Sequence, residues 1–323
     1  MQLKRHTISL GKMNGNGIII LLILFFTSCS GDEVQKNYQL SVQVNNYSLV
    51  QSLVNPYDNT NFFSNGAVDD GYAVRTTFLL YDSSGSLVSQ VSTIKSSFSE
   101  NVSVSKVLEN GQYTVISIVD VVYNNLDYCW TFKNLSNLSS ASITMASKIP
   151  GINGILGFHK DVVTINGSAI NLSVAPQHLG ALYVFDICNV NYSTIRYVAY
   201  KYYLTPDTYL INTGTFSTSG SYYSSDTFDD GGVYSEYYDY KYLLPNSKLA
   251  IEDDTYDKSN KLIKGPLCSY ANVAAGQHKI LKIDIGNSTY ISTTLASVKS
   301  SSSLINKSYL KTNNRVSAAL KLK

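Results

Sequence analysis

Between Tyr38 and Asn45 apolar and polar residues alternate without a break: Tyr38, Leu40, Val42 and Val44 against Gln39, Ser41, Gln43 and Asn45. A period of two places successive side chains on opposite sides of an extended backbone. The segment is therefore read as a strand with one wet face and one buried face. Further strands are predicted over 74–81, 87–91 and 98–104, with Asp82-Ser83-Ser84-Gly85 closing the first two into a hairpin. After Glu109-Asn110-Gly111 the run from Tyr113 to Val122 is apolar on both faces, which suits a central strand. Strands of this kind, with turns every ~8–12 residues, point to an all-β protein built of β-sandwiches. Composition agrees, because 26 Tyr and only 6 Pro favour pleated, half-wet surfaces. Charged residues make up 15% of the chain, against a typical ~25%, which argues against a coiled coil or a nucleic-acid-binding surface.

The chain divides near Pro176, after strands expected at 162–165 and 170–174. An N-terminal sandwich is placed at 38–176 and a C-terminal one at 177–290. Two short echoes suggest an internal repeat. Phe78-Leu79-Leu80-Tyr81-Asp82 resembles Leu182-Tyr183-Val184-Phe185-Asp186, and Gly111-Gln112-Tyr113 resembles Gly276-Gln277-His278. The second half is the longer between its echoes, and tyrosines crowd into that apparent insertion. A strand at 196–204 carries Tyr197, Tyr200, Tyr202 and Tyr203, and Tyr222, Tyr223, Tyr234, Tyr237 and Tyr238 follow it. Those last five are the candidate interaction surface, since the tyrosine ring is rigid and amphipathic and suits protein contact or sugar stacking. The plainer reading is that tyrosine covers β-sheets here. Residues 291–323 are expected to form an edge strand or a loose tail.

The first 28 residues read as a secretory signal. Lys4, Arg5 and Lys12 precede the apolar run Ile18–Phe26, which is shorter than the ~20 residues a membrane-spanning helix needs, and Thr27-Ser28-Cys29 follows. A cysteine at the small-residue boundary resembles the lipobox of bacterial lipoproteins, with Phe26 in place of the usual leucine. The resemblance implies that Cys29 is acylated and becomes the new N-terminus. Cleavage there leaves 295 residues and changes the formal charge from +2 to −1. Such a chain has no field to steer nucleic acid and is held to a membrane by its acyl chains. Ser30-Gly31-Asp32-Glu33 opens a flexible leash at 29–37, and this acidic stretch resembles a surface-export signal of Bacteroidetes lipoproteins.

Little in the remaining sequence specifies chemistry. His159, His178 and His278 are too far apart to share a helix face or hairpin, and no nucleophile elbow, zinc-protease or phosphate-loop motif is present. Neither a catalytic set nor a cofactor nor a metal is assigned. Acidic residues cluster at Asp229-Asp230 and at Glu252-Asp253-Asp254 with Asp257, where calcium ligation and solvated turns are both open readings. Cys129, Cys188 and Cys268 are spaced too widely for a zinc motif, and burial or one disulfide remains open for them.

Together, the lipobox, the acidic leash, Phe78-Leu79-Leu80-Tyr81-Asp82, Gly85, Leu87-Val88 and Gly111-Gln112-Tyr113-Thr114-Val115 resemble the fimbrillin and fimbrial-anchor superfamily of Bacteroidetes. The resemblance covers residues 38–122 directly. It implies two tandem transthyretin-like β-sandwiches, a lipidated precursor at the outer membrane, and assembly with other fimbrial subunits by exchange of β-strands. The cysteine-proline motif of many anchor subunits is absent after the leash, and Arg75 lies within a predicted strand rather than at a processing site. The expected function is that of a lipid-anchored, non-enzymatic cell-surface structural or adhesin-type protein. The alternative is a glycan-binding lipoprotein of nutrient capture that uses the Tyr-rich segment, and a glycoside hydrolase is the remaining class.

Overall fold

The structure, a computed structural model, describes residues 36–146, 150–191, 193–217, 220–227, 236–245, 250–270, 274–285 and 289–295. Its elements all fall within one compact unit that begins at Tyr38. Nearly all are strands, as the alternation requires. In the first half these are β1 (Tyr38–Val44), a one-turn helix α1 (Tyr47–Val50), β2 (Tyr72–Tyr81), β3 (Leu87–Lys95), β4 (Val102–Leu108) and β5 (Gly111–Tyr123). Then come β6 (Trp130–Lys133), β7 (Ser142–Met145), β8 (Leu156–Ile165), β9 (Ile170–Val174) and the two-residue β10 (Gln177–His178).

These strands form a three-stranded sheet, β4-β1-β9, packed on a five-stranded one, β10-β8-β5-β2-β3. Leu40, Val42 and Val44 of β1 are buried, as their spacing predicts, in one core with Phe78 and Val115 of the facing sheet. Strand β5 lies in the middle of its sheet, which explains why it is apolar on both faces. Helix α1 sits against β8 at Gly157, where a Cβ would come within 2.3 Å of Leu49 Cδ1. Asn46 Nδ2 donates to Thr76 Oγ1 at 2.8 Å and so satisfies two polar groups inside this core.

The second half contributes β11 (Ala181–Cys188), β12 (Ile195–Thr205), β13 (Thr208–Leu210), β14 (Thr215–Ser217), β15 (Gly220–Thr227) and β16 (Glu236–Leu243). It continues with β17 (Ala250–Asp257), β18 (Leu262–Tyr270), β19 (His278–Asp284) and β20 (Thr289–Leu295). Sheets β16-β11-β19-β20 and β15-β12-β17-β18 enclose a second core of Tyr183, Phe185, Ile187, Val198, Tyr200, Tyr202, Leu281 and Ile283.

The two sandwiches share one strand order. In each, the first strand pairs antiparallel with one neighbour and parallel with another: β1 with β4 and β9, and β11 with β16 and β19. The facing sheets correspond as β3-β2-β5-β8 and β15-β12-β17-β18. A repeat is thus present in the topology, but the sequence echoes point to the wrong strands. The Phe78 echo falls on β2 and β11, although β2 matches β12; the Gly111 echo opens β5 and β19, although β5 matches β17. Short apolar runs ending in a turn are what any buried strand looks like, so they match without being equivalent.

A fifth sheet joins the halves. Its order is β14-β13-β7-β6, with Tyr209 of β13 opposite Ile143 of β7, so a hairpin from the second half pairs with strands of the first. Nearby, the Tyr242 hydroxyl accepts from Gly180 N at 2.8 Å, lies 3.1 Å from Leu156 O and lies 3.1 Å from His178 Nδ1. His178 Nε2 donates to Leu49 O at 2.7 Å. One buried hydroxyl thereby ties β16, β8 and the segment between the sandwiches. Gly180 permits it, because a Cβ there would lie 2.3 Å from the Tyr242 ring.

Candidate interaction surfaces

The five tyrosines singled out from the sequence do not lie on one sheet. Tyr222 and Tyr223 are on β15, opposite Tyr202 and Lys201, at the edge of one sheet of the second sandwich. Tyr237 and Tyr238 are on β16, opposite Ile187 and Asp186, at the edge of the other. Tyr234 lies outside the described residues, as does Cys29. Tyr238 is half-buried, and its ring centroid lies 4.1 Å from that of Tyr57 in the first half, a partner no local pattern announces. Of the neighbouring tyrosines, Tyr200, Tyr202, Tyr240 and Tyr242 are buried. Tyrosine therefore serves the core at these positions.

The opposite face of β12 is different. Tyr197 stacks on Tyr256 of β17 with centroids 4.7 Å apart and rings 17° from parallel. Beside them Lys201 Nζ donates to Glu252 Oε1 at 2.9 Å and Asp254 Oδ2 at 2.8 Å, and Tyr203 donates to Glu252 Oε2 at 2.7 Å. Asp254 and Glu252 hold the Lys201 ammonium above the usual lysine range, and Tyr203 and Lys201 hold the Glu252 carboxyl below its own. Two of the clustered carboxylates thus bind a lysine, and Asp257 accepts from Ser259 N and Lys261 N within a turn. Among the described residues, no group of three or more His, Cys, Asp or Glu is placed to hold a metal ion.

No family model matches this chain, and no curated protein does. Solved structures do. A candidate cell adhesion protein from Parabacteroides distasonis superposes with a TM-score of 0.50 at 11% identity, over 81% of this chain and 98% of that one. A candidate polysaccharide-binding protein from Bacteroides thetaiotaomicron does so with a TM-score of 0.50 at 11% identity, over 77% and 92%. The fimbrial anchor protein Mfa2 from Porphyromonas gingivalis gives a TM-score of 0.46 at 12% identity, over 80% and 96%. The likeness is one of fold.

The first sandwich carries an aromatic surface that the sequence reading did not single out. Tyr72, Tyr123 and Tyr128 cluster at one end of β2 and β5, with ring centroids 5.0, 5.2 and 6.2 Å apart. Tyr123 is 44% exposed and the neighbouring Leu126 71%. Beneath them Arg75 clamps the fully buried Asp120 through Nε at 2.9 Å and Nη2 at 2.7 Å, reaches Asp127, and lies 4.5 Å from the Phe132 ring centroid. Burial pushes the Asp120 carboxyl up and Arg75 opposes it. Cys129 is buried alongside, its thiol pushed up to about 12 by burial and by Asp120, which favours the protonated form. Cys188 is buried on β11. Among the described residues no helix is long and apolar enough to cross a membrane.

Proposed function

We propose that this chain is a non-enzymatic cell-surface protein of adhesive or fimbrial type, attached to the outer membrane through lipid on Cys29. The observation that carries the reading is the pair of sandwiches with one strand order and unequal edges. In the second sandwich β20 runs along the outer edge of β19; in the first, the equivalent β9 is the last strand of its sheet among the described residues. An edge of unpaired backbone groups is a template for an added strand. A strand from another subunit laid along β9 would give the first sandwich what β20 gives the second. The fold shared with a candidate adhesion protein supports the same reading. The signal and lipobox residues Ile18–Cys29 support the anchor; of the 291–323 segment proposed as an exchangeable strand, 291–295 pair with β19 as part of β20, and 296–323 lie outside the described residues.

A second reading is glycan capture. The fold is also that of a candidate polysaccharide-binding protein, and Tyr223 stands in register with Lys201 beside the stacked Tyr197–Tyr256 pair. One experiment with two arms tests the main proposal. Cys29→Ala is expected to move the protein out of the membrane fraction, and a chain ending after Leu295, which keeps β20 on β19, is expected to lose self-assembly seen by electron microscopy. Unchanged fractionation overturns the anchor, and unchanged polymers overturn strand exchange.

A further inference from the structure

The outer face of the larger sheet of the first sandwich holds a trough. Its floor on β8 is Phe158, Lys160 and Val162, alternate residues that share a face over about 13 Å of strand. The β13–β14 turn, Ile211–Gly214, stands over this floor and divides it into two adjoining cavities of about 460 and 350 Å³, with Asn212 bordering both. The sizes fall within the range of small-molecule sites, ~300–1,000 Å³.

The first cavity has an aromatic base, where the Phe158 and Tyr209 rings meet edge to face at 5.1 Å. Its rim carries Gln177, Asn212 and Thr213. The second has Gln112, Thr114 and Ser139 around the exposed Val162. The two charged side chains at the lining are hydrogen-bonded to neutral groups. Lys160 Nζ donates to Ile211 O at 3.3 Å and Asn212 O at 2.8 Å, which pins the turn to β8. Asp82 accepts from Ser84 N, Ser84 Oγ and Ser86 N within its own turn. What remains to meet a ligand is apolar surface, neutral amides and hydroxyls, with the His159 imidazole at the first cavity, its Nε2 buried without a hydrogen-bond partner.

That set suits a sugar. The C–H face of a pyranose packs on apolar and aromatic surface, while the planar amides of Asn and Gln offer a donor and an acceptor to neighbouring hydroxyls. We infer that the trough between β8 and the β13–β14 hairpin binds a short neutral oligosaccharide. The inference rests on the adhesive reading and adds a ligand class and a place to it. Because the wall comes from the second half and the floor from the first, the site exists only when both are joined.

The test uses the full-length chain in detergent on an array of neutral and acidic oligosaccharides, beside attachment of cells that display it. Gln112 and Asn212 are exposed, so Gln112→Ala/Asn212→Ala is expected to keep the wild-type melting curve and to weaken binding to neutral glycans by about tenfold or more. Undiminished binding by the double variant, binding to acidic glycans alone, or no arrayed glycan bound would each overturn the inference. Cells that still attach in those cases leave the adhesive reading standing. Cells that neither attach nor bind overturn both.

Discussion

Tyr242 shows how much one atom can hold. Its hydroxyl meets Gly180 N, Leu156 O and His178 Nδ1 in a site where the whole side chain is buried. Since His178 Nε2 donates to Leu49 O, a neutral ring leaves Nδ1 as acceptor, and the tyrosine proton is shared between it and Leu156 O. Tyr242→Phe keeps the ring and strands all three partners. It is expected to destabilise the chain by about 2 kcal/mol, read as a lower urea midpoint with an unchanged slope. A shift within error would mean that the three groups find other partners. None of this was legible beforehand, because Tyr242 looks like any member of the tyrosine-rich segment. Its role depends on contacts to residues 156, 178 and 180, which no spacing encodes. The pairing of Tyr238 with Tyr57 was hidden for the same reason.

At the scale of elements, legibility followed length and period. Strand β1 was readable because its alternation is complete, and β5 because a long run apolar on both faces fits only a central strand. Phe98, expected to open a strand, instead packs edge to face on Phe63 at 5.3 Å, and β4 begins at Val102. Strands β6, β7, β13 and β14 are three or four residues long, too short to show any period. The segment holding β13 and β14 was therefore read as part of an insertion, although it closes a sheet. Because β13 lies between β7 and β14, Thr208→Pro should break that sheet by removing a backbone donor and restricting the chain. The expected result is faster amide hydrogen exchange at Ser142–Met145, with exchange in β19 unchanged. Equal protection at Ser142–Met145 would show that β7 does not depend on the hairpin.

For the molecule as a whole, pH acts at the meeting of the two halves. His278 opens β19, is 3% exposed, and its pKa is lowered to about 4 by burial and by nearby His178. Burial lowers His178 as well, against its bond to Leu49. Both rings are neutral in the folded chain at pH 7. On unfolding each returns toward the usual ~6.5 and takes up a proton more readily. Stability from these groups is therefore fully present above pH ~6.5 and falls as pH drops toward 4, by about 3 kcal/mol for His278. Melting temperature should decline over that interval, and His278→Gln should flatten the decline. An identical slope in the variant would assign the acid sensitivity to other groups.

The parallel pairing that ends each sandwich also sets the order of events when the chain folds. Strand β1 is made first, yet Leu40 waits for Ile170, and Leu182 of β11 waits in the same way for His278. Contacts so distant in sequence form slowly, because the intervening loop must be closed before they add stability. Each half remains an unfinished, open sheet until its last strand is available. The first half can close once Val174 has been made and the second only once Asp284 has, so the two sandwiches complete in chain order, one after the other.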